Sequence, residues 1–328
     1  MKQSDIASKL GLNKTTVSKA LRGSSDISEK TRASVLKAAL ELGYDKAKPI
    51  KVEQFERKKV AILCPEIVEY YYSKITTSLY EQLWEAGYDP SVYITGFSAE
   101  RESTLLAQAV EFKAVGVVLL TEHADVTEAA RKALGKEQIA LVVIGLNYEA
   151  GVYDVISVDE KYGIEKAVSH LLALKRRHFA FIGDKYGEKR LLFLKNALQA
   201  AGFALSREFT SPNLRHEVCG YVGMAELLKS GERPDVIFAE YDAIAVGAFR
   251  AMCEADIRVP EDIALLGFDN VPYCEYLPVT LSSIDNHIEE MCNIALAILK
   301  KKIVDPDFKV VQTVAITPEY IIRESTSL

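Results

Sequence analysis

The chain has 328 residues, 49% of them hydrophobic and 26% charged. That is the composition of a folded globular protein and excludes fibrous and disordered classes; at about 150 residues per domain it suggests two domains with room for a small third. The net charge of −6 is shared unevenly: residues 1–59 hold 14 Lys and Arg against 7 Asp and Glu, the remainder 26 against 39, so a basic head sits on an acidic body and only the head suits a polyanionic partner.

Three short helices are predicted in the head. Ser4 or Asp5 is placed to cap the first, which carries Ile6, Ala7 and Leu10 and stops at Gly11. Asn13 caps the second, with Val17, Ala20 and Leu21 on one side and Thr15, Ser18, Lys19 and Arg22 on the other. Gly23 ends it, and Ser28 caps a third whose apolar side includes Val35, Leu36, Ala39 and Leu42. Helix, Gly11-Leu12-Asn13 turn and helix make a helix-turn-helix pattern, in which the second helix enters the major groove with its first residues at base edges. Lys14, Thr15 and Lys19 then stand at base-reading positions: Lys donates to guanine O6 and N7, and Thr bonds a base or touches a thymine methyl. Thr16, Ser18 and Arg22 are better placed at phosphates, and Arg32 completes the expected DNA-contact set. Residues 45–59, polar, charged and containing Pro49, read as a linker.

From Val60 onward, apolar runs alternate with helical stretches. Strands are predicted at Val60–Leu63, Val92–Thr95, Val115–Leu120, Leu141–Ile144, Val155–Val158, Phe179–Ile182, Val236–Ala239 and Ala264–Phe268. Helices are predicted at Ser73–Ala86, Ser103–Phe112, Thr127–Leu134, Ile164–Leu174, Lys189–Ala201, Tyr221–Lys229, Ala243–Glu254 and Ile288–Lys302. Such alternation gives parallel sheets with helices on both faces. VAILCP leading to a helix that ends EAGY, and FAFIGD leading to one that ends AAGF, echo one another and suggest two similar lobes with a cleft between them. Ligands of open α/β sheets gather at the carboxyl ends of strands. Those ends hold Pro65 to Tyr72, Asn147 and Tyr148, Asp184 to Arg190, Tyr241 and Asp242, and Asp269 and Asn270, a polar and aromatic set suited to a sugar-like ligand. Asp242 is read first as a cap for the helix starting at Ala243.

These residues carry a resemblance. Asp5-Ile6-Ala7, Thr16-Val17-Ser18-Lys19-Ala20-Leu21, Ile27-Ser28-x-x-Thr31-Arg32 and Leu42-Gly43-Tyr44 resemble the headpiece of the lactose-repressor (LacI/GalR) family of bacterial transcription regulators. Val158-Asp159-x-x-x-Gly163, Tyr241-Asp242-x-x-Ala245-x-Gly247 and Val259-Pro260-x-Asp262-Ile263-x-x-x-Gly267-Phe268-Asp269 extend it through the body. The resemblance implies an α/β chain made of a small all-α helix-turn-helix headpiece (1–44), a linker (45–59) and a two-lobed periplasmic-binding-protein-like core with parallel sheets (60–328) that binds an effector and dimerises. It implies that Arg190 and Asp269 grip the effector, with Tyr241 and the aromatic pair Tyr71 and Tyr72 beside them; Asn147 joins this set from its place at a strand end. Some positions depart from the family pattern. Lys19 stands where Arg is usual. Lys46-Ala47 replaces a Pro-Asn pair, and Glu53 falls where an apolar wedge enters the minor groove, although Val52 or Phe55 could serve in a shifted register. Phe193 and Gly145 replace a Gly and an Asp, and Leu214, Arg215 and His216 stand where an aromatic is usual.

Other classes are excluded feature by feature. The start MKQSDIASKLGL has no apolar signal segment. The longest apolar runs, Val115–Leu120 and Ile139–Leu146, are far short of the ~20 residues that cross a bilayer, so a cytoplasmic, membrane-free protein is expected. The odd, scattered cysteines Cys64, Cys219, Cys253, Cys274 and Cys292 imply reduced thiols and no zinc module. No nucleophile elbow, phosphate loop or metal-spaced His pair is present, and Asp285, His287 and Glu289 read as solvated surface. No enzyme activity, cofactor or metal is therefore expected. The function expected is a repressor that binds double-stranded operator DNA as a homodimer, without a tetramerising tail, under control of a small carbohydrate-like effector. The alternative is a cytoplasmic small-molecule-binding protein or enzyme on the same fold.

Overall fold

The computed structural model describes residues 2–24, 26–42, 44, 57–121, 132, 134–145, 154–231 and 233–327. The chain divides into two compact units, Met1–Arg57 and Lys58–Leu328. The predicted helix at Thr127–Leu134 lies almost wholly outside the described residues, and so do the linker positions Val52, Glu53 and Phe55 and the candidate Asn147.

The first unit holds helices α1 (Gln3–Leu10), α2 (Lys14–Leu21) and α3 (Glu29–Glu41). Helix α1 starts earlier than its polar residues suggest. Lys2 is the cap position, and Asp5, three residues in, accepts the Lys2 N–H at 2.8 Å, so Ser4 does not cap. Gly11 closes α1 with φ of 63°, a left-handed conformation that glycine adopts without steric cost. Asn13 Oδ1 accepts the Thr16 N–H at 2.7 Å and Ser28 Oγ that of Thr31 at 3.2 Å, as their types predict. Ile6, Ala7, Val17, Ala20, Val35, Ala38 and Ala39 form the buried centre. Leu36, expected on the buried side, is 47% exposed, because Val35, Ala38 and Ala39 already fill the face of α3 toward α1 and α2.

The second unit is built on two parallel sheets. The first joins β1 (Lys59–Cys64), β2 (Asp89–Ile94), β3 (Gly116–Thr121), β4 (Ala140–Gly145), β5 (Asp154–Val158) and a late strand, β11 (Thr313–Ile316), in the order β11-β5-β4-β3-β1-β2. The second joins β6 (Phe179–Asp184), β7 (Arg207–Ser211), β8 (Val236–Ala239) and β9 (Ala264–Leu266) in the order β7-β6-β8-β9. In each sheet the second strand lies outside the first and the third and fourth follow on the other side, which is the duplication heard in VAILCP and FAFIGD. Both faces are covered. Val60, Ile62 and Cys64 pack toward α4 (Tyr70–Glu85) and the long helix α10 (Ile288–Val304), while Ala61 and Leu63 pack toward α5 (Ala99–Glu111). In the second lobe Ala180 and Ile182 face α8 (His216–Lys229) and α9 (Asp242–Glu254), and Phe179 and Phe181 face α6 (Glu160–Ala173) and α7 (Glu188–Ala200).

The chain crosses between lobes three times: from β5 into α6, from β10 (Ser283–Asp285) into α10, and from β11 into β12 (Glu319–Ile321), which pairs antiparallel with β10. Strands β7, β10, β11 and β12 carry no sequence signal of their own and fall outside the predicted set. Helices α8 and α9 cross at contact distance where Gly220 and Gly247 face each other's backbone. A methyl on Gly247 would collide with the Glu217 carbonyl oxygen, and one on Gly220 with that of Ile244. Gly247→Ala is therefore expected to destabilise the core by about 3 kcal/mol, the upper end of overpacking costs, because backbone cannot rotate aside. A thermal melt at the wild-type temperature would contradict this close crossing.

Candidate functional site

The described elements present two surfaces with chemistry. On the headpiece, Lys14 and Thr15 are the first two residues of α2 and both are exposed. No acidic side chain occupies that first turn, so the positive end of the helix is left for an anion or a base edge. The other candidates are partly engaged. Thr16 Oγ1 donates to Asn13 Oδ1 at 2.8 Å, Arg22 Nε donates to the Ser18 carbonyl at 3.2 Å, and Lys19 Nζ lies 3.1 Å from Asp26. Arg32 Nη2 donates to the Gly23 and Ser24 carbonyls at 3.1 and 2.7 Å, so its guanidinium ties down the turn after α2.

In the core, the strand ends surround a cavity of about 100 Å3 between the lobes, lined by Tyr71, Tyr72, Tyr186, Arg190, Tyr241, Asp269 and Asn286, among others. Arg190, in the first turn of α7, donates from Nε to Glu160 Oε1 at 3.0 Å and from Nη1 to the Glu240 carbonyl at 2.7 Å, and its Nη2 lies 3.4 Å from Asp269 Oδ1. Its guanidinium stacks on Phe268, 3.7 Å from the ring centre. Asn286 Nδ2 donates to Asp269 at 2.7 Å, which leaves the buried Asn286 Oδ1 without a hydrogen-bond partner among the described residues. Tyr241 donates to Asp184 Oδ2 at 3.0 Å and accepts the His216 N–H at 3.0 Å, so its hydroxyl is held within the wall.

A second arginine closes the cleft. Arg215, just before α8, places Nε 2.9 Å from Asp184 of its own lobe and Nη1 2.8 Å from Glu66 of the other. Its guanidinium lies over both Phe97 and Tyr186, which themselves stack across the lobes with centroids 4.3 Å apart. The carboxylates here sit in a low-dielectric wall. Burial, reinforced by Asp184, pushes Glu240 up to about 8. Burial, reinforced by Asp269, pushes Glu69 up to about 8 and Asp242 to about 7.

A model described as bacterial regulatory proteins, lacI family, matches residues 3–46, and one described as a periplasmic binding protein-like domain matches residues 168–326. The chain is 26% identical over 340 residues to the HTH-type transcriptional regulator DegA of Bacillus subtilis (strain 168), covering 98% of this chain and 97% of that one. The chain thus carries a lacI-family headpiece followed by a periplasmic-binding-protein-like domain, and its full-length relatives are regulators of transcription. It is 25% identical over 328 residues to the ribose operon repressor of Haemophilus influenzae, covering 98% and 97%. Its fold matches a lac repressor dimer bound to operator and an anti-inducer, with TM-score 0.75 at 18% identity over 100% of this chain and 99% of that one. With that head and with relatives that are transcriptional regulators and repressors along its whole length, it is a DNA-binding regulator of transcription, not an enzyme.

In this regulator, Tyr71, Tyr72, Arg190, Tyr241 and Asp269 converge on one cavity. Asp242 does not cap α9: it is the first helical residue, wholly buried, accepting the Val271 N–H at 2.9 Å and the Ser283 hydroxyl at 2.7 Å. It thereby ties the start of α9 to β10. Glu69, Glu160, Glu240 and Asn286 also line the cavity and lie outside the expected ligand set. The sequence marks Arg215 only as standing in place of an aromatic. Glu289 pairs with Lys74 at 2.8 Å, and no group of three or more His, Cys, Asp or Glu fit to hold a metal occurs among the described residues. Nor is any described helix long and apolar enough to cross a membrane.

Proposed function

We propose that this regulator represses transcription in the cytoplasm by binding a pseudo-palindromic operator as a homodimer, and that a small polyhydroxylated effector, a sugar or sugar derivative, sets its affinity from the cleft. In this reading residues 1–44 bind DNA, 45–59 link and 60–328 sense and dimerise. Lys14 and Thr15 meet base edges, Lys19 assists once it leaves Asp26, and Arg22, Ser18 and Thr16 lie along phosphates; Arg32 acts by holding the turn. The name of the ribose operon repressor and the operator-bound lac repressor dimer support both halves of the proposal. The observation that carries the effector half is the buried Arg190, Asp269 and Asn286 network at the strand ends, where hydroxyls find both donors and acceptors. The cleft spans two lobes joined by three crossings, so a ligand that favours one lobe setting biases operator affinity, and operator biases ligand affinity by the same factor.

The test is selection of bound fragments from the organism's own double-stranded DNA, followed by affinity measurements across salt and across a panel of sugars. Asp269→Asn is expected to preserve operator binding while abolishing the response to the active sugar. Absence of salt-sensitive affinity for any fragment, with and without the panel, would rule out the DNA half.

A further inference from the structure

We propose that the effector carries a protonated amine, as an amino sugar does, and that Glu69, Glu240 and Asn286 receive it. This rests on the reading of the cleft as the effector site and narrows the chemistry of what enters.

The cleft holds more buried carboxyl groups than cations. Its three cations are already committed: Lys189 lies 3.5 Å from Glu160, Arg190 is shared between Glu160 and Asp269, and Arg215 between Glu66 and Asp184. Glu69 and Glu240 line the same cavity, are 7% and 5% exposed, and have no Lys or Arg within ion-pair distance among the described residues. Glu69 accepts the backbone N–H groups of Tyr71, at 2.7 Å, and Tyr72, and Glu240 accepts that of Asp184 at 2.6 Å. Two unpaired carboxylates in a dry wall are costly unless protonated or met by a positive charge.

A separate observation points the same way. Asn286 is 1% exposed, lines the cavity, and gives its amide N–H to Asp269, so its oxygen is a buried acceptor with no donor among the described residues. An ammonium brings three donors and one charge to such a set, whereas a hydroxyl brings one donor and no charge. Tyr71, Tyr72, Tyr186 and Tyr241 also line the cavity, and aromatic faces beside carboxylates are the surroundings in which ammonium groups are recognised. The elevated carboxyl groups of Glu69 and Glu240 fit a site that waits for a counter-charge.

The experiment uses the full chain and matched probes: glucosamine, galactosamine, their N-acetyl derivatives, glucose and galactose at millimolar concentration, read by thermal shift and calorimetry. An amine is expected to raise the melting temperature and to bind at least about tenfold tighter than its N-acetyl and hydroxyl counterparts. Glu69→Gln and Glu240→Gln keep the oxygen that accepts the backbone N–H, so both fold, and each is expected to weaken amine binding about tenfold or more. Equal binding of amine and neutral counterpart, undiminished amine binding in both variants, or no binding by either amine overturns the proposal. A neutral sugar whose binding is lost in Asp269→Asn overturns only the amine and leaves the effector cleft standing. Binding of a panel compound that survives Asp269→Asn overturns the cleft reading itself.

Discussion

Lys14→Ala is expected to reduce operator affinity by about thirtyfold to twenty-thousandfold. A good side-chain contact to a base is worth about 1–3 kcal/mol, and a two-fold symmetric dimer loses it at both half-sites, about 2–6 kcal/mol in all. Lys14 is exposed at the first position of α2 and makes no hydrogen bond or ion pair among the described residues, so its removal leaves the headpiece packing of Val17 and Ala20 untouched. The loss should be greatest for one base pair and small for its substitutes. Lys19→Ala should cost less, because Lys19 must first give up Asp26 at 3.1 Å. Arg22→Ala should lower affinity for all sequences alike and flatten the salt dependence by about one ion for each phosphate left without its arginine. Binding isotherms over a salt series, against an operator set varied one base pair at a time, measure each. A Lys14→Ala protein with wild-type affinity and selectivity would remove α2 from the groove.

What makes the headpiece readable is that its determinants are local. The Asn13 and Ser28 caps, the Gly11 turn and the spacing of Val17, Ala20 and Leu21 lie within a few residues of the structure they specify. The first strands of the core are readable for a related reason. β1, β3 and β6 are buried on both faces, so they read as unbroken apolar runs. Strand β7, with sequence REFTS and mostly exposed side chains, sits at a sheet edge where burial writes no pattern, and β10 and β12 are three residues each. Helix α4 begins at Tyr70, ahead of the predicted Ser73, because Glu69 supplies the cap, a residue type seldom used for it.

The cleft is legible in half. Tyr71, Tyr72, Arg190, Tyr241 and Asp269 follow strands, and the strand-end rule or the family motifs reach them. Glu160 and Glu240 follow strands too, yet a charged residue at a strand end reads as solvated surface until a second lobe covers it. Arg215 is the plainest case. Its partners Glu66 and Asp184 are 149 and 31 positions away, and neither separation has a periodicity to detect. Asn286 gains its meaning only from the hinge, where the turn after β10 brings its amide to Asp269.

The second large effect belongs to Arg190. Arg190→Ala is expected to destabilise the core by about 3–5 kcal/mol, since removing one partner of a buried pair leaves uncompensated charge. Here Asp269 loses its cation, Glu160 keeps only the more distant Lys189 at 3.5 Å, and the Glu240 carbonyl loses the donor that Arg190 holds at 2.7 Å from it. For a core of this size each kcal/mol lowers the melting temperature by about 2–4 °C, so a fall of roughly ten degrees is expected. Arg190→Lys restores the charge but not the planar fork or the stacking on Phe268, and should recover only part of the stability. The informative variant is the pair Arg190→Met with Glu160→Gln. It replaces the Arg190–Glu160 pair with neutral groups of similar volume, which is often neutral for stability, and leaves Asp269 as the one former partner of Arg190 still charged. Melting should return toward wild type while the effector response stays abolished, because the donors that meet the ligand are gone. Recovery of both stability and response in that double variant would show that Arg190 is only a scaffold. Loss of response without loss of stability in Arg190→Ala would show that its ion pairs contribute nothing to the fold.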